Sequence, residues 1–540
     1  MEPPMQLSRL LEDTDLRLAL PAGGEEAVLR GLVDDSRRVE PGFGLVCRGP
    51  LMPDVAAAYV ADAARRGAAA VFVEEAAVEA ARVGVQEAGI EPAARPTLVT
   101  TPALGQHEAG ELAEAFFGRP SRRLRCVGVT GTNGKTTTVW LIRQLLRAAG
   151  AKPAMLGTIE TDLGEPGGPL TAELTTPGAV ELASLMARAV EAGCDALVME
   201  VSSHALHQGR VAAIDFDAAV FTNLTQDHLD YHGTMADYAA AKALLFEGLR
   251  DSSWAVIHAD DPWAKRMIER CPARVLGTSL DAPLAAADES PSPMPVRARA
   301  EALEMSSHGS LARLDGPWGS LEIALPLIGR HNLANALQAV AATSLVVNLD
   351  RSHIAALAHV PPVPGRLEPV PSGRFPVDGY DASHAPAVLV DYAHTPDALD
   401  NVLRALRPLV RPGGRLLTVF GCGGDRDRTK RPLMAEAACR HADGVVMTSD
   451  NPRTEDPASI LRDVEAGVPD GYRDAVTIAD RAEAIARCVA EADANDAVLI
   501  AGKGHEDYQI IGTAKRPFDD RREAAQALRR WWAEHRRVGA

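Results

Sequence analysis

Cysteine is scarce in this chain and carries no pairing signal. There are seven in 540 residues, at 47, 126, 194, 271, 422, 439 and 488, with no CxxC pair and an odd total. That argues against a disulfide framework and a cysteine-bound structural zinc; Cys126 and Cys194, inside strand-like runs, read as buried reduced thiols. Aromatic residues make up only 4%, which follows from a usage rich in Ala, Arg and Gly and says little about function. Positive charge is not in excess either. A formal charge of −17 makes the surface as a whole repel nucleic acid and anionic lipid, so basic runs such as Arg426 to Arg431 need local anionic targets. No uninterrupted apolar run reaches the roughly 18 residues of a membrane span. The opening MEPPMQLSRLLEDTD carries acids where an export signal needs a basic start and an apolar stretch. The expectation is a cytoplasmic protein with no nucleic-acid partner and no membrane insertion.

What is present is a hydrophobic content of 46% and a charged content of 24%, ordinary for a soluble globular protein. The length suggests about three domains. The most informative stretch is Leu124 to Thr138, LRCVGVTGTNGKTTT. Alternating Val127 and Val129 predict a strand, and Val139, Ile142, Leu145 and Leu146 predict a helix that stops at Gly150. Between them lies a glycine loop that suits a triphosphate: bare backbone N–H groups, the Lys135 ammonium, and the Thr136 hydroxyl for Mg²⁺. It is a variant, since the usual P-loop spacing puts a glycine at 129, where this chain has Val129, with Gly128 one place earlier. No NKxD companion is present, which lowers a guanine-specific switch reading.

Ahead of the loop, apolar runs at Ala69 to Val73 and Thr97 to Thr100 alternate with Ala/Arg-rich helical stretches, and a helix is expected around Glu108 to Phe117. Asp281 to Pro295 reads as a surface excursion, and Pro361, Pro362 and Pro364 mark a second break. Beyond it, strands at Val388 to Val390, Leu416 to Phe420, Gly444 to Met447 and Ala497 to Ile500 alternate with helices, predicting a doubly wound parallel sheet. Polar clusters follow all four strands: Asp391-Tyr392, Gly421 to Asp425, Asp450 to Arg453 and Gly502 to Glu506. They are expected to converge on one crevice.

Other residues carry chemistry by position. Glu200 ends the apolar run Ala196 to Met199, where a carboxylate beside a P-loop strand serves Mg²⁺. Asp227 and His228 follow another strand-like start and suggest a second cation site. Lys242 lies among alanines and leucines, and most such lysines reach to water. In Asp450-Asn451-Pro452-Arg453 a carboxylate, an amide and a guanidinium share a rigid turn, a trio that suits a zwitterion.

Nine motifs taken in order are TGTNGKTTT, LTTP (Leu174 to Pro177), EVSSHAL (Glu200 to Leu206), TNLTQDHLDYHG (Thr222 to Gly233), GRLE (Gly365 to Glu368), DYAHTPDAL (Asp391 to Leu399), GCGGDRD (Gly421 to Asp427), DNPRTE (Asp450 to Glu455) and GKGHEDYQ (Gly502 to Gln509). Together they resemble the Mur ligase family, densely over the central and C-terminal thirds and thinly over the first hundred residues. The resemblance implies a three-domain α/β architecture: residues 1–104 for a UDP-sugar, 105–361 as a central P-loop ATPase, and 362–540 as a Rossmann-like domain for an incoming amino acid. It implies an ATP-dependent amide ligase, expected as a monomer, that works through an acyl phosphate in peptidoglycan biosynthesis.

By resemblance, ATP is held by Gly131, Thr132, Asn133, Gly134, Lys135, Thr136, Thr137, Asn332, Arg366 and Asp391. Mg²⁺ is held by Thr136 and Glu200, and a second ion by Glu200, His228 and Lys242, the last as a carbamate formed from CO₂. Desolvation by its apolar neighbours favours the neutral amine that such a reaction needs. Ser36, Thr175, Thr176, Ser202 and Arg210 match contacts to UDP-MurNAc-L-Ala-D-Glu, although Gly42 to Asp54 departs from the family pattern and is shortened. Arg426, Asp450, Asn451, Arg453, Gly502 and Glu506 match a diaminopimelate pocket, with the meso isomer expected and the LL isomer the alternative. The rivals are a sibling ligase adding another residue, a folylpolyglutamate-type ligase, and a P-loop ATPase acting as a regulatory module.

Overall fold

The computed structural model describes residues 4–21, 24–172, 174–285, 294–306 and 309–535. Of the expected excursion at Asp281 to Pro295, residues 286–293 lie outside the described residues. Three principal sheets organise the chain. The first has four parallel strands, Gly31–Val33, Phe43–Val46, Ala70–Glu74 and Thr97–Thr101. Ala70, Val71, Phe72 and Val73 are all fully buried, as a strand covered on both faces requires.

The central sheet has eleven strands. Its parallel part runs in the spatial order Pro153–Leu156, Ala196–Glu200, Arg125–Thr130, Ala218–Phe221, Trp254–His258 and Arg274–Ser279. The long strands Val296–Ser306, Gly309–Gly316 and Gly319–Leu325 extend one edge. Alternation decides which residues face which layer. Val127, Val129, Ala196 and Val198 pack with the helices Lys135–Ala148 and Arg330–Val346. Cys126, Leu197 and Met199 pack with Ala179–Glu191 and Met235–Glu247 on the opposite face. The expected stripe of Val139, Ile142, Leu145 and Leu146 is buried, and Gly150 closes that helix with φ +83°.

The expected helix near Glu108 runs Gln106–Phe116. Its Leu112, Ala113 and Phe116 share a core with Leu7, Leu29 and Val99 of the first sheet region and with Val180 and Ala183 of the central one. Among the described residues no helix is long and apolar enough to cross a membrane.

The third sheet has six strands in the order Glu368–Val370, Ala387–Asp391, Ala497–Ala501, Leu416–Cys422, Gly444–Ser449 and Ala475–Thr477, parallel apart from the first. The expected strands are all there, and their carboxyl ends lie side by side. A buried ion pair locks this edge. Arg481 and Asp520, both fully buried, make two hydrogen bonds of 2.7 Å. Arg481 also donates to the carbonyls of Ala501 at 2.8 Å and Ser449 at 3.4 Å, the last residues of the two strands that flank Leu416–Cys422.

Removing one member of a buried pair leaves the other charge without compensation, at a cost of about 3–5 kcal/mol. Asp520→Ala is therefore expected to lower the unfolding free energy by about that amount, read as a lower denaturant midpoint at unchanged m. An unchanged midpoint would show that Arg481 is held by its carbonyls alone.

Candidate active site

The glycine loop adopts its shape because side chains are absent at two points. Gly131 has φ +152°, and a Cβ there would lie 1.9 Å from the Thr222 hydroxyl oxygen. Gly134 has φ +85°, and its Cβ would lie 2.4 Å from the Asn335 side-chain oxygen. The loop is fastened to the segment after strand Ala218–Phe221. The Thr132 N–H donates to the Asn223 carbonyl at 2.8 Å. The Asn133 N–H donates to the Asn223 Oδ1 at 3.0 Å, and the Asn133 carbonyl accepts from Thr222 Oγ1 at 2.6 Å and Asn223 Nδ2 at 3.0 Å. Lys135 Nζ donates to the carbonyls of Gly131 and Thr132, each at 2.8 Å. Thr136 and Thr137 are buried at the start of the helix.

Glu200 ends the neighbouring strand and is only 1% exposed. Its carboxylate accepts from Thr158 N–H at 2.8 Å and Thr158 Oγ1 at 3.2 Å. Among the described residues it forms no ion pair. A buried carboxylate held by neutral donors alone is a fitting place for a bound cation. His228 sits at φ +52°, with its ring 3.4 Å from the Asp227 carboxylate. Burial pushes its imidazole below the ordinary histidine range, which leaves a lone pair free for a metal.

Lys242 corrects an expectation. Its surroundings suggest a side chain reaching to water, yet it is 1% exposed. Its Nζ donates to the Gly131 carbonyl at 2.9 Å and lies 4.5 Å from the centre of the Tyr238 ring. The helix Met235–Glu247 packs its Tyr238, Ala239, Ala243 and Phe246 into the core, so the lysine is carried inward with them. Burial, with Lys135 nearby, pushes its amine well below the usual lysine range. A neutral amine without a carboxylate partner is the reactive form toward CO₂.

No group of three His, Cys, Asp or Glu among the described residues could by itself cage a metal. That is compatible with Mg²⁺, which keeps several waters and uses one or two carboxylates beside phosphate oxygens.

The nucleotide candidates from further along the chain divide. Arg366 reaches across from the start of the third region and donates from Nη2 to Thr136 Oγ1 at 3.2 Å. Its guanidinium lies 4.7 Å from the Tyr392 ring centre, and its Nε is buried with no partner. Asp391 accepts from Leu367 N–H at 2.7 Å and Ala393 N–H at 2.8 Å, holding the Arg366 segment, while burial raises its carboxyl. Asn332 is tied to its own helix start, donating to Ile328 O at 2.9 Å and accepting from Asn335 at 3.2 Å.

On the opposite side of Glu200, Thr176 Oγ1 donates to the Glu200 carbonyl at 3.0 Å and accepts from Ser202 N–H at 3.1 Å. Thr175 Oγ1 lies 3.0 Å from Thr158 Oγ1. Arg210 donates to the Thr176 carbonyl at 2.8 Å and lines a cleft of about 670 Å³ together with Ser36, Arg48, Tyr59 and Leu174. Sequence reasoning missed Arg48 and Tyr59. Arg48 lies in the divergent segment after strand Phe43–Val46 and pairs with Asp34 at 3.0 Å; only its charge beside Asp34 could have drawn notice.

In the third sheet, Asp450, Asn451 and Glu506 converge, but around a residue the motif reading passed over. Lys503 is fully buried and donates to Asp450 at 3.3 Å, Asn451 at 3.2 Å and Glu506 at 3.0 Å. Arg453, at φ +53°, donates to the Gly424 carbonyl at 2.8 Å. Gly502, at φ +116°, donates its N–H to the Asp391 carbonyl at 3.1 Å. Arg426 stays exposed, bonded to the Asp425 carbonyl at 3.1 Å. Its neighbour Arg431 is fully buried and paired with Glu455 and Asp463, each at 2.8 Å. The basic run is therefore partly a structural brace.

This geometry has known counterparts. The Mur ligase middle domain matches residues 129–343, and the Mur ligase glutamate ligase domain matches residues 373–504. A UDP-N-acetylmuramoyl-L-alanyl-D-glutamate–2,6-diaminopimelate ligase of Synechococcus sp. (strain WH7803) is 46% identical over 526 residues, covering 95% of this chain and 97% of its own. The Geobacillus thermodenitrificans (strain NG80-2) protein of the same name is 43% identical, covering 92% and 94%. A solved structure of a ligase of that name superposes with a TM-score of 0.65 at 32% identity, covering 98% of this chain and 100% of its own. Folylpolyglutamate synthase from Mycobacterium tuberculosis shares the fold at a TM-score of 0.54 and 21% identity, over 73% of this chain and 91% of its own. With both family models falling on the sheets that carry these clusters, and relatives alike along nearly its whole length, the chain belongs to the Mur ligase family of ATP-dependent ligases.

Proposed function

We propose that the chain joins meso-2,6-diaminopimelate to UDP-N-acetylmuramoyl-L-alanyl-D-glutamate in peptidoglycan biosynthesis, consuming ATP. One observation carries the reading: the three candidate pockets are stitched together around the glycine loop. Arg210 in the large cleft bonds Thr176, which bonds the Glu200 backbone. Arg366 bonds Thr136 from the opposite side, and its segment is held by Asp391, whose carbonyl accepts from Gly502. A regulatory ATPase has no use for the cleft or for the Asp450–Glu506 cluster. The relatives that share these motifs carry the diaminopimelate ligase name.

The chemistry sets the electrostatic demand. The D-glutamyl carboxylate attacks the γ-phosphorus, the bond to ADP breaks, and an acyl phosphate forms. The amine of the amino acid then attacks the carbonyl carbon, loses a proton, and phosphate leaves with the C–O bonding pair. Carboxylate and triphosphate are both anions, so positive charge must gather where they meet. Lys135 and Arg366 supply fixed charge there. Thr136 with Glu200, and Glu200 with His228 and the Lys242 carbamate, would hold Mg²⁺, which supplies Lewis-acid neutralisation of the phosphate oxygens. Lys242 acquires its role when its neutral amine adds CO₂ and releases a proton. Arg453 offers the diaminopimelate carboxylate a guanidinium, while Asp450 and Glu506 offer the ammonium an acceptor. Work on ATP and a nucleotide-linked precursor supports a cytoplasmic enzyme.

Phosphate release from ATP in the presence of the UDP-dipeptide should depend on meso-diaminopimelate and be negligible with L-lysine. Release with lysine would sink the specificity argument, and release indifferent to the acceptor would favour a regulatory ATPase. Lys135→Ala should abolish turnover. Arg453→Ala should lower kcat/KM for diaminopimelate by an amount corresponding to about 2–5 kcal/mol, with ATP affinity retained. Isotope-labelled CO₂ should give a carbamate carbon resonance that vanishes in Lys242→Ala; its absence from the wild-type enzyme would refute the modification.

A further inference from the structure

Lys503 is a fully buried lysine within the cluster proposed to take the amino acid. An ammonium has three N–H donors, and here each has its own protein acceptor: Asp450 Oδ1, Asn451 Oδ1 and Glu506 Oε2. Asn451 is itself fixed. Its Nδ2 donates to the same Glu506 oxygen at 3.0 Å, and its Oδ1 also accepts from Ile510 N–H at 2.9 Å. The Glu506 N–H returns to the Lys503 carbonyl at 2.9 Å, closing a tight turn. No donor of Lys503 is left for a ligand, so any influence on substrate runs through the groups that it holds.

From this cluster we infer that Lys503 is a positioning and specificity-determining residue, which holds Asp450 and Glu506 side by side and sets the pocket's charge to match a zwitterion. The inference rests on the diaminopimelate reading above. The carboxylates of Asp450 and Glu506 repel each other, and the Lys503 ammonium bonded to both offsets that repulsion. Asp450 and Glu506 carry two negative charges, and Lys503 and Arg453 carry two positive ones. These four charges cancel, with Arg426 exposed outside the cluster on the Asp425 carbonyl, and the pocket offers carboxylates to an ammonium and a guanidinium to a carboxylate. An amino-acid terminus, with one ammonium and one carboxylate, has the same pattern reversed. Removing the Lys503 charge would leave the cluster of Asp450, Glu506 and Arg453 net negative and shift preference toward a bare ammonium terminus such as that of lysine.

Lys503→Met keeps the length of the side chain and removes the charge. In steady-state phosphate release by the full chain, KM for meso-diaminopimelate is expected to rise by about 30-fold or more. KM for ATP and for the UDP-dipeptide should change by less than about twofold, because neither depends on the neutralised pair. The ratio of kcat/KM for diaminopimelate to that for L-lysine should fall by about tenfold, a change that uniform damage to the fold does not produce. An unchanged ratio, or three KM values rising together, would overturn the assignment. If Lys503→Met has no cooperative melting transition, Lys503→Gln, which retains two donors without the charge, should give the same shift in the ratio. Wild-type enzyme that turns over no diaminopimelate would refute the substrate reading and this inference with it. Active wild type with an unaltered variant ratio would refute the role of Lys503 alone.

Discussion

The glycine loop cannot hold its own shape, and most of the site depends on how the segment Thr222 to Thr225 holds it. A stretch with bare backbone at Gly131 and Gly134 pays the largest conformational entropy on ordering. Here the threonine and asparagine side chains beyond a neighbouring strand satisfy its carbonyls and amides. The same loop then receives two lysines, Lys135 from its own helix and Lys242 from another, both bonded to the Gly131 carbonyl. Burial above all, with the second amine on the same carbonyl adding to it, drives Lys242 toward its neutral form. The loop, the carbamate candidate and the metal-side carboxylate are consequences of a single packing arrangement.

Charge is distributed unevenly for a purpose. The chain as a whole is acidic, but the seam between the central and third sheets brings Lys135 and Arg366 together. An acidic exterior around a cationic seam discourages nucleic acid while leaving a local field that draws in triphosphate. In the third sheet the buried charges are instead paired, Arg481 with Asp520 and Arg431 with Glu455 and Asp463. Paired charges fix the strand ends without adding net potential.

The third sheet was legible in the sequence because its strands are continuous apolar runs ending in polar clusters, and the central helix because its stripe is regular; the half-exposed edge strands Val296–Ser306, Gly309–Gly316 and Gly319–Leu325 carry no such run and were not read. The nucleotide loop and Glu200 were legible because the chemistry needs those residue types at the ends of adjacent strands. Lys242 was not legible from its neighbours alone, since burial of a lysine depends on which helix face turns inward; the family resemblance supplied its role. Lys503 was missed for a similar reason: inside Gly-Lys-Gly-His-Glu it looks like one more exposed cation, and only the fold places it beneath Asp450 and Glu506. Arg48 escaped because it lies where the segment is shortened, and the buried Arg431 was masked by a run of exposed arginines.

The sparse cysteines acquire a use once their positions are known. Cys47 is packed in the first sheet's core, Cys126 and Cys194 in the central one, and Cys422 and Cys488 in the third. Burial raises all five thiols, so the folded protein presents little thiolate at these positions to an oxidant or alkylating reagent. Each sheet thus carries its own native reporter. The rate at which a thiol reagent reaches each cysteine measures how often that layer opens, which makes the chain a three-channel clock for its own local unfolding.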